Sequence, residues 1–178
     1  MVESPTAIPS APCANNSGNL TGGGHGTNVA GMIGARGNNN LGVVGANWNV
    51  KMMNVMGYTM SEASVVSAYS YPLSLRKLYN ESNGAEGAFV VSTNASWGID
   101  NANPDNYPIW CQFYDTLGKY GIVNCGATTN SNLNVDVSGD MPTACPSDYM
   151  IGVGRSDHND NYAGGYGATT INFAAPGI

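Results

Sequence analysis

Charge is scarce in this chain: Asp, Glu, Lys and Arg make up 10% of its 178 residues, where an ordinary soluble domain carries about a quarter. The six Lys and Arg residues never gather into a patch, and the net charge is −6. A nucleic-acid partner is therefore not expected, because nothing could neutralise a run of phosphates. No apolar run approaches a membrane span, so no membrane partner is expected either. The four cysteines include no CxxC pair, which argues against a zinc ribbon or a thioredoxin-type redox motif. No GxGxxG follows a strand with an acidic residue downstream, which removes a dinucleotide-binding domain. Residues 1–20 have neither a basic start nor an apolar segment, so any secretory leader is expected upstream of residue 1 or not at all.

What fills the space left by charge is Asn, Ser, Thr and 24 glycines, beside a 42% hydrophobic fraction. That is the composition of a loop-rich globular domain, and the length suffices for one buried core. Cys13, Cys111, Cys125 and Cys145 are even in number, compatible with two disulfides in any of three connectivities or with buried free thiols. The apolar spacing predicts a short helix over 25–35 and a strand over 50–56. A helix over 62–79 follows, with Pro72 as its point of kinking, and then a strand from 89 to 91 that ends at 96–98. Further on come a helix over 107–120 closed by Gly121, and strands over 122–125, 149–153 and 170–173. Strands alternating with helices imply an α/β fold: three layers, with a mostly parallel β-sheet flanked by helices. Functional groups are then expected just beyond the carboxyl ends of the strands.

Several blocks stand out in order. They are His25-Gly26-Thr27-Asn28-Val29-Ala30-Gly31, then Asn39-Asn40-Leu41-Gly42-Val43-Val44-Gly45-Ala46, the run Val50-Lys51-Met52-Met53-Asn54-Val55-Met56-Gly57, and Val90-Val91-Ser92-Thr93-Asn94-Ala95-Ser96-Trp97-Gly98. Later come Ile122-Val123-Asn124-Cys125-Gly126-Ala127, the stretch from Pro146 to Gly154, and Ala175-Pro176-Gly177. The set resembles the catalytic domain of the subtilases, the subtilisin-like serine proteases, over nearly the whole of residues 1–178. The resemblance implies a serine endopeptidase acting on protein or peptide substrates, with a subtilisin-like fold that is incomplete here. It also implies placement outside the cell, in keeping with the even cysteine count.

The chemistry fits the residue types. Serine proteolysis needs a base near neutrality to take a hydroxyl proton and return it to the leaving amine, and an imidazole does this. By resemblance His25 is that base, at the head of a helix whose small residues pack closely. His158 lacks any such frame and is expected to be a solvated loop residue. Ser96, Trp97 and Gly98 resemble the edge that holds the substrate as an added strand, and Gly126 one wall of the pocket beside it. An oxyanion-hole asparagine is implied shortly after the third strand. This chain reads Gly126-Ala127-Thr128-Thr129-Asn130 there, so Asn130 is the candidate, with Thr128 the alternative. The loop at 37–40 resembles a calcium-binding loop of some members, but no carboxylate lies near it and a plain turn is expected. The chemistry requires no cofactor and no metal.

In subtilases the triad runs Asp, His, Ser along the chain. Only Glu3 is acidic before His25, the first Asp is Asp100, and no Gly-Thr-Ser follows Ala175-Pro176-Gly177. The expectation is that acid and nucleophile lie beyond the two ends, and that this segment alone is inactive. The competing reading is a catalytically dead subtilase-like module that binds peptides through residues 96–98.

Overall fold

The computed structural model describes residues 24–55 and 61–177. Glu3, Cys13 and Met56, the end of one expected strand, lie outside them. The chain divides into two compact bodies, one holding residues 24–55 and the other 61–177.

The first body is built on helix α1, His25–Gly34. The chain after it folds back: the amides of Gly45, Ala46 and Asn47 donate to the carbonyls of Ala35, Met32 and Ile33 at 2.8–3.0 Å. These bonds satisfy carbonyls that the helix end leaves open. Asn39 Oδ1 accepts from the Leu41 amide at 3.0 Å, so the loop at 37–40 closes as an Asx turn. The expected strand over 50–56 is corrected: its described part, 50–55, is not in a ladder, and Met52, Met53 and Val55 stay exposed. A strand is defined by its partner, and none pairs with this stretch among the described residues.

The second body opens with helix α2, Glu62–Glu81, whose N-cap Ser61 accepts from the Ser64 amide. It runs on through Pro72. Strand β1, Ser92–Ala95, leads to the two-residue β2, Ile99–Asp100. Helix α3, Pro108–Lys119, starts with its proline in the first turn, where a missing amide costs nothing, and the chain turns at Gly121 as expected. Then come β3, Val123–Ala127; the single turn α4, Val135–Ser138; β4, Asp140–Met141; and β5, Met150–Ser156. Two short strands follow, β6, Tyr162–Ala163, and β7, Phe173–Pro176.

The main sheet runs β1-β3-β5, with β6 and β7 both pairing with β5. All neighbours are parallel except β6. The β2 and β4 strands form a separate antiparallel ribbon. This is the mostly parallel α/β sheet that the sequence implies. Two strands begin later than expected. The Val90 carbonyl accepts from the Arg76 guanidinium, so the ladder of β1 opens at Ser92 rather than at 89. The Thr170 amide donates to Asp136 at 2.9 Å, and β7 starts at Phe173 rather than 170.

The core lies where α2 and α3 pack on one another and α3 on β3. Trp110, Tyr114, Leu117, Ile122 and Met141 are fully buried there. Burying a tryptophan and a tyrosine requires partners for their polar tips. Trp110 Nε1 donates to the Tyr114 hydroxyl at 2.8 Å, and that hydroxyl donates to Tyr69 at 3.2 Å. Cys111 and Cys145 form a disulfide linking the first turn of α3 to the turn after β4, while Cys125 is a free, half-buried thiol. One of the open pairings is thus fixed, and Cys125 takes the free-thiol alternative.

Candidate active site

His25 is the first residue of α1 and is exposed to solvent. Gly24 precedes it as N-cap and has no side chain with which to cap the first amides of the helix. His158 is likewise exposed, in the turn after β5, with Nε2 at 3.0 Å from Asn159 Nδ2.

The remaining candidates belong to the second body and collect where two adjacent strands end. Ala95 of β1 and Gly126 of β3 are register partners. Ser96-Trp97-Gly98 therefore leaves the sheet beside the segment from Thr128 to Asn130. Ser96 Oγ accepts from Asn94 Nδ2 at 3.0 Å. The Trp97 indole packs on the core, 5.6 Å from the Trp110 ring, which leaves its backbone rather than its side chain to meet a ligand. At Gly98 a β-carbon would lie 2.0 Å from the Met141 carbonyl oxygen. Only glycine lets the chain pass so close to β4. Gly126 is buried, and a β-carbon there would meet Pro142 Cγ at 2.9 Å. Its smallness serves the packing of the Met141-Pro142 turn, which contains a cis peptide bond.

Asn130 sits exposed at a bend just after β3. The Thr128 hydroxyl, the alternative donor, is buried, and its amide continues the β3–β5 ladder by donating to the Val153 carbonyl at 3.0 Å. Thr129 is fixed on every side. Its amide donates to Asp140 Oδ2 at 3.3 Å, its carbonyl accepts from the Gly165 amide at 2.8 Å, and its Oγ1 accepts from the Ser131 amide at 3.2 Å. The last of these bonds wraps the backbone around Asn130.

Two carboxylates organise this end of the sheet, and sequence reasoning singled out neither. Asp140 is 1% exposed, and its Oδ2 also accepts from Thr143 Oγ1 at 2.5 Å. Burial pushes its carboxyl above the usual range, against the Thr143 and Thr129 hydrogen bonds that favour the ion. Asp136, in α4, accepts from the amides of Ala168, Thr169 and Thr170 at 2.7, 3.2 and 2.9 Å. With the Thr170 side chain as the largest cause, these donors hold its carboxyl down at about 2. A polar hollow of about 320 Å³ beside α4 is lined by Asp136, Ser138, Asn103, Asp105 and Thr169. Among the described residues no group of three or more His, Cys, Asp and Glu side chains comes together as metal ligands.

No curated protein matches the chain at a significant level. Among solved structures, the epidermin leader peptide processing serine protease of Staphylococcus aureus superposes with a TM-score of 0.59 at 19% identity, covering 84% of this chain and 38% of that one. The nisin leader peptidase of Lactococcus lactis gives 0.61 at 20% identity, over 85% and 46%. A psychrophilic protease, S41, gives 0.60 at 18% identity, over 84% and 51%. These likenesses establish the fold, and the chain spans between two-fifths and about half of the length of those proteins. The model of the subtilase family matches residues 10–177, nearly the whole sequence, and the chain belongs to that family.

Proposed function

We propose that the protein carrying this chain is a serine endopeptidase in which His25 is the general base and the Asn130 side-chain amide donates to the oxyanion. The observation that carries the reading is the family match across residues 10–177, which includes the His25-Gly26-Thr27 block at the head of α1. The exposed Asn130 and the buried Thr128 hydroxyl support the choice of donor. Peptide is held along the backbone of Ser96-Trp97-Gly98 as an added strand, a mode that draws affinity from main-chain hydrogen bonds. His25 takes the proton from a serine hydroxyl and returns it to the leaving amine, and the Asn130 amide stabilises the charge that builds on the carbonyl oxygen. The acid and the serine come from outside residues 1–178, so this segment alone does not turn over peptide. The same proposal places the protein outside the cell, and the Cys111–Cys145 disulfide supports an oxidising compartment.

The test is hydrolysis of a generic protein substrate by the protein that carries this chain. His25→Ala is expected to lower kcat by at least about 10⁴-fold, since loss of any one triad member removes most of what the triad does. Hydrolysis that survives His25→Ala, or hydrolysis by the 178-residue segment by itself, overturns the reading.

A further inference from the structure

We propose that Asp140 is a positioning residue for the oxyanion donor, holding the Thr128-Thr129-Asn130 segment in place against the strand edge that binds peptide. The proposal rests on the reading of Asn130 as that donor.

The geometry comes from three elements that meet at one carboxylate. Through its backbone, Asp140 pairs with Asp100 in the β2–β4 ribbon, and β2 is the direct continuation of Ser96-Trp97-Gly98. The fit there is tight, because Gly98 leaves no room for a β-carbon beneath the Met141 carbonyl. Through its side chain, Asp140 holds the Thr129 amide, one residue before Asn130, and the Thr143 hydroxyl, one residue after the Pro142 that covers Gly126. The Asp140 carbonyl closes the turn by accepting from the Ala144 amide at 2.7 Å. One residue thus ties the exit of β3 to the exit of β1.

This arrangement matters because an oxyanion donor works only where the charge develops. Removing such a donor outright costs about 10²–10³ in kcat in subtilisin, a relative of this chain. Displacing it by a fraction of an ångström costs part of that and leaves ground-state binding alone. An unsatisfied buried amide at Thr129 would drive such a displacement, since the group would seek another acceptor or water. Asp140 is 1% and Thr129 5% exposed, so bulk solvent does not compete for the Thr129 amide while the carboxylate is in place.

Variants of the protein that carries this chain test this. Asp140→Ala is expected to lower kcat roughly 10- to 100-fold with KM within about threefold, a partial loss of the donor's contribution. Asp140→Asn, whose amide oxygen accepts the same two bonds, is expected to restore kcat to within about threefold of the parent. The decisive measurement is the double variant: in an Asn130→Ala background, Asp140→Ala should cost under about twofold more, because the group it positions is gone. Should Asp140→Ala fail to fold, Thr143→Val removes one of the two side-chain bonds at nearly constant shape and is expected to lower kcat about 3- to 10-fold. Full additivity in the double variant, a change confined to KM, or an unchanged kcat overturns the proposal. If hydrolysis proves independent of His25, the protease reading itself has failed. If His25→Ala abolishes hydrolysis and Asp140→Ala leaves kcat alone, only the positioning role has failed.

Discussion

The carboxylate of Asp136 offers the sharpest measurement on this chain. It is exposed, yet three consecutive amides, those of Ala168, Thr169 and Thr170, point at its two oxygens. Such donors, with the Thr170 side chain foremost, favour the ion over the acid and bring the pKa from 3.8 down to about 2. A tenfold difference in acidity between folded and unfolded states is worth about 1.4 kcal/mol, so a buried group so perturbed would supply roughly 2–2.5 kcal/mol. Solvent around Asp136 screens the interaction, which reduces the expected contribution to about 1 kcal/mol. The folded pKa lies below the unfolded one, so the stabilisation is complete above about pH 4. It fades as pH falls from 3.8 through about 2. The assay has two parts: a pH titration of the Ala168, Thr169 and Thr170 amide resonances, and urea unfolding of the parent and Asp136→Asn at about pH 6 and near pH 2. The amides should titrate with a midpoint near 2, and the variant should be about 1 kcal/mol less stable at about pH 6 and nearly equal to the parent at the acid end. A midpoint at the ordinary carboxylate value, or a stability difference that ignores pH, would show that the three amides do not hold the charge.

Two further substitutions test the architecture of the same body. Replacing both Cys111 and Cys145 by serine opens a loop closed across 34 residues of sequence; by the chain-entropy relation this should cost up to about 4 kcal/mol, read as a shifted midpoint in denaturant. Gly98→Ala sets a methyl against the Met141 carbonyl oxygen and should destabilise by about 1–3 kcal/mol with loss of amide protection at Ile99 and Met141; a neutral Gly98→Ala would mean that β2 and β4 do not pack this tightly.

Much of the fold was legible because its signals are local. Helix α3 announces itself by apolar spacing over 107–120 and by Gly121, and the helix that carries His25 by the small residues after it. What the sequence hides is any bond made across many residues. Phe89, Val90 and Val91 read as strand, but the Val90 carbonyl is taken by Arg76, fourteen residues earlier, and no periodicity reveals that. Residues 170–173 read as strand until Asp136, more than thirty residues upstream, claims the Thr169 and Thr170 amides. The stretch 50–55 has strand composition and no ladder, since pairing belongs to two segments and composition to one. The candidate and proposed site residues divide the same way. His25 carries its own frame in neighbouring glycines, whereas Asp140 looks like any loop aspartate until Thr129 and Thr143 are placed around it.

The shortage of charge with which the sequence begins has a structural counterpart at the strand ends. A domain with so many connecting loops must satisfy their backbone amides without regular ladders. Here side-chain oxygens do it at short range. Asn39, Asn47, Asn103, Asn134 and Asp157 each accept the amide two residues on, and every one of those turns lies outside a strand. Asp136 and Asp140 extend the same chemistry across sequence, to amides that no local turn could reach. Hydrogen bonds to backbone fix direction as well as distance, which a solvent-exposed ion pair on long flexible side chains does not. The Asn-rich turns are in this sense how a chain with little charge satisfies the amides of its connecting loops.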